Sequence, residues 1–284
     1  MGGIQYGRDL ALQHDMQAML RRETLRAAQR RRLLGLMATG GAAAALAACA
    51  SRTAAGPAAL AACMASPEET EGPFPADGSN RAHPMGGGAV VNVLAQSGVV
   101  RSDIRKSFGS ATGTAAGVPV TLTVTVVNVA KRCAPLAGYA VYVWQCDRDG
   151  NYSLYDGGAR GENYLRGVQV TDGSGQATFT TVFPACYMGR WPHIHFEVYD
   201  SLDSATSYRN KLLTSQMAMP ADLCRTVYDT AGYGGSRALF DAVSVASDMV
   251  FGDSTAEELA WQTPRFKGDP VQGYTTAIRV GLSA

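Results

Sequence analysis

The sequence predicts an all-β fold: a β-sandwich with an irregular N-terminal arm and short helices near the C-terminal part. Three observations carry this. Stretches rich in β-branched and aromatic residues alternate with polar ones at period two, as half-buried strands do. Tight turns rich in glycine and aspartate separate them. The 32 glycines and 12 prolines suit a turn-rich chain. With 46% hydrophobic residues among 284, there is enough apolar surface for a proper core.

Residues 1–65 read as an export signal and linker, which leaves about 220 residues, 66–284, for one domain. Residues 16–32 are rich in arginine. The run Arg30-Arg31-Arg32-Leu33-Leu34 is similar to a twin-arginine export signal. The apolar stretch 33–48 is too short and too rich in small residues for a membrane span. It ends in Leu46-Ala47-Ala48-Cys49, which resembles a bacterial lipoprotein cleavage box with Cys49 as the lipidated residue. A second copy, Leu60-Ala61-Ala62-Cys63, lies farther from the arginines and is the weaker candidate. Met16 is a candidate start, because residues 1–15 do not resemble a signal. The expectation is an exported protein, periplasmic or held to the membrane by a lipid at Cys49. The alternative is an ordinary cleaved signal.

Within the domain, residues 66–117 read as the irregular arm, glycine-rich at 85–89 and 109–117. Strands are predicted over 118–129, which alternates and is β-branched, and over 138–146, which stops at the turn Asp147-Arg148-Asp149-Gly150. Residues 167–171 and 177–183 flank Asp172-Gly173-Ser174-Gly175, a hairpin signal. Segments 193–199 and 211–219 complete about six strands. Residues 226–246 accommodate one or two short helices, and 271–280 a last strand. No internal repeat is visible.

A formal net charge of +1 argues against nucleic acid or an anionic membrane as partner. A homodimer is compatible with the sequence, which does not set the oligomeric state. Beyond the signal lie Cys63, Cys133, Cys146, Cys186 and Cys224. None has CxxC spacing, so a cysteine-bound metal is not expected. Export to an oxidising compartment predicts at least one disulfide, and the four domain cysteines allow three connectivities.

Two of the chain's four histidines, His193 and His195, stand one residue apart in GRWPHIHFEV. On a strand, alternate residues share a face, so both imidazoles can serve one metal. Upstream, WQCDRDGNYSLYDG and TTVFPACYMGRW each bring tyrosine near a predicted strand end. A phenolate is a hard anionic donor that suits a trivalent cation better than zinc.

At this point the chain resembles the secreted, single-subunit intradiol ring-cleavage dioxygenases. The matching pieces are EETEGPFPADGSN (68–80), VPVTLTVTVVN (118–128), CAPLAGYAVYVWQCDRDGNYSLYD (133–156), YLRGVQVTDGSGQATFTTVFPACY (164–187), GRWPHIHFEVYD (189–200) and LLTSQMAMP (212–220), in the family's order. The resemblance implies non-haem Fe(III) held by Tyr152, Tyr187, His193 and His195. It places Arg190 as the active-site cation, Tyr187 as the phenolate that leaves the metal and takes a substrate proton, and Gln216 in the substrate pocket. Spacing alone does not choose Tyr152 over Tyr155 or Tyr164. The implied reaction opens the ring of a small aromatic diol between its hydroxyl-bearing carbons, using O2. Two departures from the family stand out. Gln145 occupies a non-ligand position where histidine is frequent. Ala185 and Cys186 replace a usual glycine and tryptophan, which is expected to alter the pocket wall. The competing expectation is an exported carbohydrate- or ligand-binding β-sandwich without catalysis, since PLAGYAVYV and VTDGSGQATF also suit such modules; that protein would be colourless.

Overall fold

A computed structural model describes residues 63–82 and 88–283. The export segment, the twin arginines and Cys49 lie outside these residues, as does part of the glycine-rich stretch 85–89. Eleven strands occur among the described residues: β1 (Asp77–Arg81), β2 (Val90–Asn92), β3 (Pro119–Asn128), β4 (Ala134–Pro135), β5 (Ala140–Trp144), β6 (Arg166–Val170), β7 (Gln176–Val182), β8 (His193–Tyr199), β9 (Leu213–Ala218), β10 (Arg265–Asp269) and β11 (Gly273–Leu282). Three α-helices, α1 (Ala221–Tyr228), α2 (Gly234–Asp241) and α3 (Ala256–Gln262), lie in the C-terminal third.

The strands form two main sheets. One runs β10-β11-β3, with β4 and β7 both pairing with β3, and the other runs β6-β5-β8-β9. Strand β3 shows why alternation predicted it: Val120, Leu122, Val124 and Val126 are buried, whereas Pro119, Thr121 and Thr123 face solvent or nearly so. The buried set meets Val141 and Val143 of β5, Ile194, Phe196 and Val198 of β8, and Ile278 and Val280 of β11 in one core between the sheets. The expected hairpin over 167–183 is not formed: β6 pairs with β5 and β7 with β3 in the other sheet, because the Asp-Gly turn fixes the reversal and not the pairing; the crossover turns at Asp172, whose Oδ1 accepts from Ser174 N at 2.8 Å and Gln176 N at 2.9 Å. Gly175 there has φ +73°, and a Cβ would sit 2.6 Å from Val126 O, so only glycine fits.

The second sheet is buried on both faces. All seven residues of β8 and all five of β5 are buried. Their residues on the face away from the other sheet, including Tyr142, Trp144 and Tyr199, pack with Phe74, Ala76, Val93, Leu94 and Val99 of the N-terminal region and with Tyr152 and Tyr155. The arm thus closes the outer face of this sheet. It contains a short hairpin, β1 paired with β2 antiparallel with an irregular register, so it is not irregular throughout as expected. Neither strand alternates apolar and polar residues, which is why its sequence reads as loop. Strand β10 and helix α3 also go beyond the expected elements. Cys63 is joined to Cys133, with Cα atoms 5.7 Å apart. The described fold therefore starts three residues ahead of the expected 66 boundary.

Candidate metal centre

One row of direct cross-strand partners runs over the second sheet: Arg166, Trp144, His195 and Gln216. His193 lies two residues before His195 on the same face, opposite Ala218. The strands thus set both imidazoles, and loops supply what faces them. After β5, Asp147 Oδ1 accepts from Asp149 N and Asn151 N, each at 2.9 Å, which turns the chain sharply. Asp156 Oδ2 then accepts from Tyr152 N at 2.8 Å, and the phenol swings over the sheet. Tyr187 comes from the loop between β7 and β8, whose return is closed by Arg190 N donating to Tyr187 O at 3.3 Å.

The four polar tips converge. Tyr152 Oη lies 3.4 Å from Tyr187 Oη and 3.4 Å from His193 Nε2. Tyr187 Oη lies 3.1 Å from His193 Nε2, and the two histidine Nε2 atoms are 3.1 Å apart. Four donors about 2.1 Å from one ion at tetrahedral angles would stand about 3.4 Å apart. His193 Nδ1 donates to Trp191 O at 2.6 Å, so its Nε2 bears a lone pair. A single lone pair surrounded by three polar atoms accepts one hydrogen bond at most, whereas a cation at the centre satisfies all four groups. Burial, with Arg190 next in weight, lowers the His193 pKa to about 3, and burial followed by His193 keeps His195 well below the ordinary value. Both imidazoles are therefore neutral. Burial, then Tyr187, raises the Tyr152 phenol well above its ordinary pKa, so ionising it requires a compensating cation. Among the described residues no three His, Cys, Asp or Glu side chains gather. The two phenols are thus integral to this donor set, which fits a hard cation.

The surroundings are rigid and aromatic. Trp144 stacks on His195 with ring centroids 4.8 Å apart and planes 8° apart. Phe74 of the arm covers Tyr152 at 5.0 Å. Arg190 is 1% exposed and sits beside the cluster: Nε donates to Asp248 Oδ2 at 2.9 Å and Nη2 to Gln216 Oε1 at 2.7 Å. Gln216 Nε2 in turn donates to Thr70 O of the arm at 2.8 Å. Arg166, at 0% exposure, donates to Ser153 Oγ, Ser153 O, Pro75 O and Tyr142 Oη at 3.0–3.2 Å. It clasps the Tyr152 loop and the arm to the sheet.

All six residues singled out in the sequence thus come together. Tyr155 and Tyr164 stay outside the cluster. The Tyr155 hydroxyl donates to Asn80 Oδ1 and accepts from Ala76 N, and Tyr164 Oη donates to Asp147 Oδ2. Gln145 Nε2 donates to Val182 O, and its Oε1 accepts from Thr181, pointing at β7. The expected change in the pocket wall needs correction. Ala185 lies in the cluster that contains Tyr187, but Cys186 lies in the inter-sheet core with Trp191, Tyr228 and Phe240. Asp248 and Arg166 were not anticipated. Asp248 is 58 residues from Arg190 in sequence, and nothing local marks it.

Comparison with known proteins agrees with this architecture. Residues 100–229, which contain all six site residues, match the Dioxygenase_C family model, described as "Dioxygenase". The fold is similar to an intradiol ring-cleavage dioxygenase from Tetranychus urticae, with a TM-score of 0.57 at 21% identity, covering 78% of this chain and 95% of that one. A second solved dioxygenase gives a TM-score of 0.58 at 21% identity, covering 78% and 94%. No curated protein matches by sequence. The matched segment is thus similar in sequence to a dioxygenase family, and most of the domain is similar in fold to an intradiol ring-cleavage dioxygenase.

Proposed function

We propose that the protein is a non-haem Fe(III) intradiol dioxygenase that opens a catechol-type ring between the two hydroxyl-bearing carbons with O2. The observation that carries this reading is the meeting of two phenol oxygens and two imidazole nitrogens at 3.1–3.4 Å in a buried site. Tyr152, Tyr187, His193 and His195 would hold the ion. Fe(III) bound there would act as a Lewis acid that draws electron density from a coordinated diol and readies the ring for O2.

The chain's own residues do the rest. His193 and His195 remain neutral and present lone pairs. Tyr187, 7% exposed against 2% for Tyr152, is the phenol suited to exchange its place for substrate and to hold a proton at Oη. Tyr152 stays, because Phe74 and the Arg166 clasp fix it. Arg190 brings a permanent cation to a dry site, where negative charge developing on the ring is stabilised most. Gln216 holds the guanidinium towards the site and links it to the arm.

The test is direct. The purified chain, loaded with ferrous iron in air, is expected to hold about one iron per chain and to be red-brown from tyrosinate-to-metal charge transfer. It should consume one O2 per catechol, with both atoms in a ring-opened diacid. Tyr152→Phe and Tyr187→Phe should each shift or weaken the visible band. A colourless protein that keeps zinc, or a yellow extradiol semialdehyde as product, would show the reading to be wrong.

A further inference from the structure

We propose that Asp248 is the positioning residue that aims Arg190, an inference that rests on the role of Arg190 given above. The two side chains are 1% and 0% exposed and meet Nε to Oδ2 at 2.9 Å. The same oxygen accepts from Trp191 N at 2.6 Å. One carboxylate oxygen thus grips two consecutive residues just before β8, where His193 begins. The other oxygen, Oδ1, accepts from Val250 N at 2.8 Å and Phe251 N at 2.9 Å. With both oxygens occupied twice, the carboxylate has little freedom to rotate.

The turn that presents Asp248 is itself tightly set. Ser244 and Ser247 cap each other, and Asp248 N donates to Ser244 O at 3.0 Å. Gly252 N donates back to Asp248 O at 2.8 Å, and a Cβ on Gly252 would fall 2.6 Å from that carbonyl and 2.8 Å from Ala246 O. The turn therefore closes only around glycine, and it holds the carboxylate from behind.

This arrangement answers a physical difficulty. An arginine is strongly favoured to leave a dry site for water unless a counter-charge is buried with it. Asp248 supplies that charge on the Nε edge. Gln216, a neutral amide, takes Nη2 at 2.7 Å. The guanidinium is held at two points in its plane, which fixes orientation as well as position. Burial opposes ionisation of Asp248, but Arg190 and the N–H groups of Phe251 and Trp191 outweigh it and lower the pKa. The hydrogen bonds of the Asp248 carboxylate reach residues 190, 191, 250 and 251, and none reaches the four donor tips. Asp248 also reaches His193 through space and through Trp191, whose N it holds and whose O accepts from His193 Nδ1, so iron content and the visible band are read beside turnover to separate the Arg190 route from the donor set.

The experiment uses the full chain loaded with iron, in four forms: wild type, Asp248→Asn, Arg190→Ala and the double variant. Asp248→Asn keeps the shape and one acceptor oxygen but removes the charge. Expected are unchanged iron content and visible band, a KM for catechol within about twofold, and kcat lower by roughly 10–100-fold, the range typical for partners of site residues. In the Arg190→Ala background the same change should alter kcat by less than about twofold, because coupled residues are non-additive. A second readout is independent of turnover. In protein loaded with diamagnetic Ga(III), the Arg190 Nε proton should exchange slowly in wild type and much faster in Asp248→Asn. If Asp248→Asn does not fold, Asp248→Glu is read instead; it keeps the charge but displaces it, and should show both lower kcat and faster exchange. Wild-type turnover in Arg190→Ala overturns the reading of Arg190 itself. Slow Arg190→Ala with normal Asp248→Asn, or losses that multiply in the double variant, overturns the role of Asp248 alone.

Discussion

At the scale of the residue, the site is a matter of facing. His193 and His195 point the same way because a strand alternates, and both stay neutral because β8 is buried on both sides. Arg190 sits near them but cannot ligate a cation, since a guanidinium has no lone pair to give. Arg190→Ala should therefore keep iron and colour while kcat falls on the order of 10²–10³-fold; stopped-flow spectra with catechol under anaerobic conditions should still record substrate binding. A fully active Arg190→Ala would remove the electrostatic role. The shared face of the two histidines was legible from spacing alone, whereas their part in a metal site was implied by the family resemblance. The choice among the tyrosines was not legible. Tyr152 and Tyr155 are three apart on an irregular turn, and which phenol swings over the sheet is decided by the Asp147 turn and by Asp156. Only the family resemblance distinguished them in sequence.

At the scale of the element, β8 does two jobs. Ile194, Phe196 and Val198 face the inter-sheet core, while His193 and His195 face the loops. Phe196→Ala should cost about 3–5 kcal/mol, measured by denaturant unfolding, by opening a cavity between the sheets. The Tyr152 loop depends instead on Arg166. Its hydrogen bonds to Ser153, Pro75 and Tyr142 all end on neutral oxygens, two of them on Ser153 beside Tyr152. Arg166→Met leaves buried acceptors unmatched, each worth about 1–3 kcal/mol. The expected result is a lower Tm together with faster loss of iron to a chelator; unchanged iron retention would show that the clasp does not support Tyr152. Strands β3, β5, β7, β8, β9 and β11 were readable from alternation and β-branching. Strand β10 was not, because Arg265–Asp269 is an edge strand whose single apolar residue, Phe266, makes no alternating pattern. Helix α3 did carry a signal: Thr255 accepts from Glu258 N while Glu258 accepts from Thr255 N, a capping box visible as Thr-Ala-Glu-Glu.

At the scale of the whole molecule, the N-terminal arm folds across the second sheet and meets the C-terminal strand. Ser66 N donates to Gly281 O at 2.9 Å, and Trp261 Nε1 donates to Ser66 Oγ at 3.0 Å. The Cys63–Cys133 bond closes a separation of 70 residues, so replacing both by serine should lower unfolding stability by up to about 4 kcal/mol on chain-entropy grounds. Iron content should not change, because neither cysteine approaches the four donors. We further propose that export follows the twin-arginine route with a lipid at Cys49. Arg30→Lys with Arg31→Lys should then retain the protein in the cytoplasm, and Cys49→Ser should move it from the membrane fraction to the soluble one. If Cys49→Ser leaves it in the membrane fraction, the anchor is elsewhere. The disulfide also has a mechanical meaning. A chain pulled from the side of residue 62 transmits its load through sulfur into the turn between β3 and β4. Residues 66–82, which carry Phe74 over Tyr152 and Thr70 O to Gln216, lie beyond that point and bear no tension. The bond would act as the strain relief on a cable: with the chain anchored ahead of Cys63, as proposed, a pull on that leash would not draw aside the cover over the four donors.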